Sequence, residues 1–163
     1  MKRDDAIRWL LGQDDDTDWD IVKHREKRSL SQNAYYWVLV GKMAKYLRIS
    51  TAELHNRLLR SYGQVMIVDG MIATTYLPDT DEAEQKINLA ETFHLRPTST
   101  VVSPKPGKTL RAYIIMRGSS GYNTEEMGTL LDGTVEEARQ MGIETLTPGE
   151  LERMRVGEEH HKQ

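Results

Sequence analysis

The side chains that could do chemistry in this chain are its five histidines, its carboxylates and its hydroxyls. With no cysteine, a thiolate nucleophile, a cysteine-ligated zinc and a disulfide are all ruled out. His24 and His55 fall within a basic stretch, His94 precedes Leu95 and Arg96, and His160 and His161 stand near the last residue. None has the i, i+4 spacing that would set two imidazoles on one helical face as a metal pair. Each therefore reads as a surface group or a satisfied polar contact. Asp14, Asp16, Asp18 and Asp20 alternate as in a calcium loop. That reading fails because no glycine occupies the sixth position from Asp14 or Asp16, and Arg25 or Lys27 stands where a bidentate glutamate is required. Gly118-Ser119-Ser120-Gly121 lacks the following lysine of a phosphate-cradling loop. The remaining carboxylates lie on helical faces expected to be solvated. No catalytic residue, metal ligand or cofactor site is assigned, and two alternatives stay open: a metal-dependent nuclease built from Asp and Glu, and an acidic protein-protein adaptor.

Binding chemistry has more to work with. The net charge is only −3, yet residues 21–63 hold nine Lys and Arg against two acids, and residues 92–120 hold five against none. Acidic stretches flank both. If the two basic stretches share a face, the protein carries a local positive field despite its overall sign. A single strand of nucleic acid is held by such a field together with aromatic stacking surfaces, and the first basic stretch also contains Tyr35, Tyr36, Trp37, Tyr46 and Tyr62. The expected phosphate contacts are Lys23, Arg25, Lys27 and Arg28, delivered to a helix start whose free N–H groups favour anions. Lys42, Lys45, Arg57 and Arg60 are expected to be exposed beside them. Tyr36 and Trp37 belong to the core stripe, whereas Tyr35 lies off it and is better placed to meet a base. The predicted function is non-catalytic binding of single-stranded nucleic acid.

These side chains depend on a long amphipathic helix over residues 29–47. Ser29 and Gln32 form a capping box at its start, and Tyr36, Trp37, Val40, Met43, Ala44 and Leu47 recur at spacings of three and four. Before it come a short helix over 3–12, an acidic linker to residue 20 and a short strand over 20–25. After it, Ser50 and Glu53 cap a second helix that Gly63 stops, with Leu54, Leu58 and Leu59 inward. Residues 64–77 alternate around Asp69-Gly70, a hairpin signal. A helix follows from Asp81 to Ala90 or beyond. Pro97, Pro104 and Pro106 then break the next stretch into a loop with strand candidates at 100–103 and 110–117. The last major helix runs from Asn123 or Thr124 to Met141, with Met127, Leu130, Leu131, Val135 and Ala138 on one face. Thr147-Pro148-Gly149-Glu150 caps a short helix to about Met154. The expectation is a single α+β domain over 1–156, with amphipathic helices packed on a small, mainly antiparallel sheet, and a disordered tail over 157–163. No apolar run approaches a membrane span of roughly 18 residues and no signal-peptide pattern opens the chain, so a cytoplasmic protein is expected.

Arg28-Ser29-Leu30-Ser31-Gln32-Asn33 with Trp37 four residues on, a second helix, and later Thr124-Glu125-Glu126-Met127, Leu130-Leu131 and Gly142-Ile143 form an ordered set of blocks. This set resembles the phage NinB family, also called Orf recombination proteins, over about two-thirds of the chain. The resemblance implies a homodimeric, non-enzymatic α+β protein in the host cytoplasm. Such a protein binds single-stranded DNA, contacts the host single-strand-binding protein and helps to load recombinase. By position Arg28, Gln32 and Asn33 match the signature, which implies a DNA role for them. The N-terminal helix, the acidic linker and the longer middle over 64–111 depart from the family pattern.

Overall fold

The computed structural model describes Trp9, Leu11, Gly12 and residues 30–159. Trp9 and Leu11 are helical, as expected for that stretch. The acidic linker, the strand over 20–25, the Ser29 cap and the last four residues lie outside the described residues.

Helix α1, Leu30–Leu47, presents Tyr36, Leu39, Val40, Met43 and Ala44 inward, a stripe at i, i+3, i+4 and i+7. Leu39 replaces Trp37 on that stripe. Trp37 sits one step around the helix, at its margin, and is 40% exposed. The helix ends in a Schellman arrangement: Ile49 N–H donates to Ala44 O, Arg48 N–H to Lys45 O, and Arg48 takes a left-handed φ of 58°. Helix α2, Thr51–Tyr62, begins with the Ser50 hydroxyl accepting from the Glu53 N–H at 3.1 Å. It buries Leu54, Leu58 and Leu59 as expected, and also His55 and Asn56. Gly63 ends it for reasons of space: a Cβ there would lie 2.5 Å from Leu59 O and 2.7 Å from the Tyr122 hydroxyl.

The Asp69-Gly70 turn has positive φ at both residues and closes a two-residue ladder between β1, Ile67–Val68, and β2, Met71–Ile72. Met66, Ile67, Val68, Met71 and Ile72 of this hairpin are exposed. Strand β3, Thr74–Pro78, β4, His94–Lys105, and β5, Lys108–Met116, form an antiparallel sheet in the order β3-β5-β4. Here the structure corrects the expected proline-broken loop. Residues 94–105 are one long strand, because β4 lies at the sheet edge, where a residue without an N–H loses no ladder bond on its open side. The prolines leave their mark as register shifts between Pro97 and Val101 and between Val102 and Lys105.

Helix α3, Asp81–Asn88, is capped by the Thr80 hydroxyl and is shorter than expected. Asn56 of α2 takes up the carbonyls of Asn88 and Ala90 and so lets the helix stop there. Helix α4, Thr124–Gln140, starts at a complete Asn123–Glu126 capping box and buries Met127, Leu130, Leu131, Val135 and Ala138. Helix α5, Pro148–Glu159, starts at a reciprocal Thr147–Glu150 pair and continues past Met154.

Helices α1, α2 and α4, with Tyr122 and with Leu151 of α5, enclose the main core. A smaller cluster of Ile87, Leu95 and Tyr113 joins α3 to the sheet. Five helices and two small antiparallel sheets among the described residues make an α+β domain. None of the described helices is long and apolar enough to cross a membrane.

Candidate functional site

Three elements meet beside the main core and bring together polar groups that are far apart in sequence. Helix α1 supplies Tyr36 and Trp37, α2 supplies His55 and Asn56, and the first residue of β4 is His94. His55 and His94 are 7% and 8% exposed, and their rings meet edge to face with centroids 5.2 Å apart. Trp37 lies against His55 at 4.7 Å. Together with the turn over Ser119–Gly121 they line a cleft of about 310 Å³, whose other walls are Thr51, Ala52, Ala90, Glu91 and Gly118.

Hydrogen bonding fixes which nitrogen of each imidazole carries the proton. Both amide hydrogens of Asn56 go to main-chain carbonyls, those of Asn88 at 2.9 Å and Ala90 at 2.8 Å. Its Oδ1 must therefore be the atom facing His94 Nδ1 at 2.6 Å, and it can only accept. His94 is thus protonated on Nδ1 and keeps a lone pair on Nε2. The Tyr36 phenol is fully buried, and burial followed by repulsion from Tyr122 holds it protonated far above the usual tyrosine range. Its hydroxyl hydrogen has no other acceptor among the described residues, so it donates to His55 Nδ1 at 2.6 Å, which leaves the His55 proton on Nε2. The two rings thus have opposite tautomers. Burial, then repulsion from His94, lowers the His55 pKa to about 4. Burial, then the Arg60 charge, lowers that of His94. Both are neutral at pH 7.

Sequence reading passed over this pair by weighing each histidine alone. A signal was present: His55 stands three and four residues before Leu58 and Leu59, and Asn56 three before Leu59, so both fall on the inward face of α2.

The expected nucleic-acid residues are distributed differently. Lys23, Arg25, Lys27 and Arg28 lie outside the described residues. Lys42 and Lys45 are exposed on α1 with no carboxylate partner among the described residues. Arg57 is exposed but pairs with Glu53 at 2.6 Å. Arg60, expected to be exposed, is half-buried. Its Nε donates to Leu95 O at 2.8 Å and its Nη1 to Asn88 Oδ1 at 2.7 Å, so it ties α2 to β4 and α3. Tyr35 is likewise engaged: its hydroxyl accepts the Leu146 N–H at 2.8 Å, and its ring packs on the main core. Gln32 is 1% exposed and faces α4 at Gly128. Asn33 is partly buried beside it.

The second basic stretch is partly neutralised by carboxylates from elsewhere. Arg111 binds both oxygens of Asp79 at 2.8 and 3.2 Å, and Arg117 binds both of Glu126 at 2.7 and 3.2 Å. Arg111, Asp79 and Arg60 line a second cleft of about 470 Å³ at the start of α3, where cations and acids alternate. Among the described residues no three His, Asp or Glu side chains converge as metal ligands. Comparison with family models, with curated proteins and with solved structures finds no match for this chain.

Proposed function

We propose that the protein binds single-stranded DNA as a non-catalytic accessory factor, of the recombination-mediator kind that the NinB-like blocks imply, and that the strand lies along the outer face of α1. One observation carries this reading. The solvent face of α1 and its end bear Trp37, Lys42, Lys45, Tyr46 and Arg48, all exposed, and no acidic residue occurs between Lys27 and Ala52. Lysines in that setting have no carboxylate to displace before they meet a phosphate, and two aromatic rings beside them offer surfaces on which bases stack at about 1–3 kcal/mol each. The cationic run Lys23 to Arg28 leads into the same helix in sequence. A homodimer belongs to the same proposal. Its support is the apolar hairpin β1–β2, which leaves Ile67, Met71 and Ile72 in solvent on a single chain.

Fluorescence anisotropy with a labelled oligonucleotide at two or more salt concentrations tests the strand site. Each phosphate contact on a single strand contributes a slope of about −0.7 in log K against log salt. Replacing Lys42 and Lys45 together by Ala is therefore expected to flatten the slope by about 1.4 and to weaken binding at low salt. Wild-type affinity that ignores salt, or a double variant that binds like wild type, would overturn the reading.

A further inference from the structure

We propose that the cleft between His55 and His94 receives one unpaired nucleobase of the bound strand, stacked beside Trp37 and read by the two imidazole edges and the Glu91 carboxylate. The inference rests on the strand-binding reading and adds to it a base-recognition pocket.

Size, charge and polarity select that occupant. The cleft, about 310 Å³, is at the small end of ligand sites, which span roughly 300–1,000 Å³, and suits a single heterocycle. Among the described residues no lysine or arginine lines it, and Glu91 does. A phosphate would meet a carboxylate there and no compensating cation among the described residues, so the sugar-phosphate chain belongs outside, on the lysines of α1, and the neutral base belongs inside. The walls offer a donor and acceptors together: His55 Nε2–H donates, while His94 Nε2 and the Glu91 carboxylate accept. Adenine, cytosine and guanine carry an exocyclic amine whose two N–H bonds can serve both acceptors; thymine has only its ring N3–H and leaves one acceptor unpaired. Trp37 is shared between the cleft and the exposed face of α1, so a strand crossing that face passes the mouth. The readers are also held in place before any ligand arrives. Tyr36 fixes one ring, and Asn56, anchored on two main-chain carbonyls, fixes the other, so little order has to be imposed on binding.

The test compares three strands of equal length on the full chain by anisotropy: oligo-dC, oligo-dT and an abasic sugar-phosphate strand. The expected result is that oligo-dC binds at least about 5-fold tighter than the abasic strand, the least that stacking of one base supplies, and tighter than oligo-dT. Glu91→Gln, at an exposed position where folding is not at stake, should narrow the gap between dC and dT. His94→Gln should narrow the gap between dC and the abasic strand. Equal binding of all three wild-type strands overturns the base pocket, and with it the stacking on Trp37 and Tyr46, while leaving the lysine contacts to phosphate intact; equal binding of oligo-dC and oligo-dT alone overturns the reading of the base by the cleft. Failure to bind any strand overturns the strand reading instead. In that case deoxycytidine titrated into ¹⁵N-labelled protein decides the cleft alone: shifts at the ring nitrogens of His55 and His94 support it, and their absence overturns it.

Discussion

Lowering the pH from 7 to 5 is expected to destabilise this protein through its buried histidines. His55 has a folded-state pKa of about 4 against an ordinary value of 6.5, because burial and the neighbouring His94 both oppose the charged form. Between those two values the unfolded chain takes up a proton that the folded chain refuses, so stability falls with pH across that window. The contribution is fully present above about 6.5, declines as the medium is acidified, and is gone below about 4. Each unit costs about 1.4 kcal/mol, so the move from pH 7 to pH 5 removes about 2 kcal/mol through His55 alone. His94 is shifted in the same direction and adds to the loss. Against a typical domain stability of about 5–15 kcal/mol this is easily measured. Glu82 and Glu150 are also held below the ordinary carboxylate value of 4.5, but they lose their contribution only at lower pH, so the range from 6.5 to 5 belongs to the histidines. Urea denaturation at pH 7.5 and 5.0 gives the stability difference, and long-range ¹H–¹⁵N spectra report both the pKa and the tautomer of each ring. Stability equal at the two pH values, a His55 that titrates near 6.5, or a His55 proton on Nδ1 would refute the reasoning.

Two further outcomes follow from packing. Gly133→Ala places a Cβ 2.3 to 2.6 Å from ring atoms of Tyr62, an overlap expected to cost about 1–3 kcal/mol by chemical denaturation and less in a Tyr62→Ala background. Sedimentation equilibrium of the wild type should give twice the 18.7 kDa chain mass, and Met71→Lys on the exposed hairpin should return the monomer; a wild-type monomer at all concentrations would remove the dimer from the proposal.

Local signals were legible in the sequence wherever the stabilising contact spans only three or four residues. Thr147 with Glu150 forms the reciprocal cap that its spacing announces, Ser50 caps α2, and Asp69-Gly70 makes its turn with both φ angles positive. The inward faces of α2 and α4 follow from helical periodicity for the same reason, and with them the α+β class. Trp37 and Arg60 were misplaced because each lies at the margin of a helical stripe, where the neighbour across the gap decides burial: His55 for one, Leu95 and Asn88 for the other.

Only the tertiary structure decided the rest. Whether Pro97 and Pro104 could lie in a strand depended on β4 being at the edge of the sheet, a property of its partner β5 and not of its own residues. Whether the cations of 92–120 remained available depended on Asp79 and Glu126, both outside that stretch. The histidine cleft depended on Asn56 and His94, 38 residues apart, and on Tyr36 and His55, 19 apart. Caps and turns are fixed by contacts that the chain carries along with it through any fold. The tautomer, charge and exposure of a side chain are set by whatever packing brings against it from distant segments.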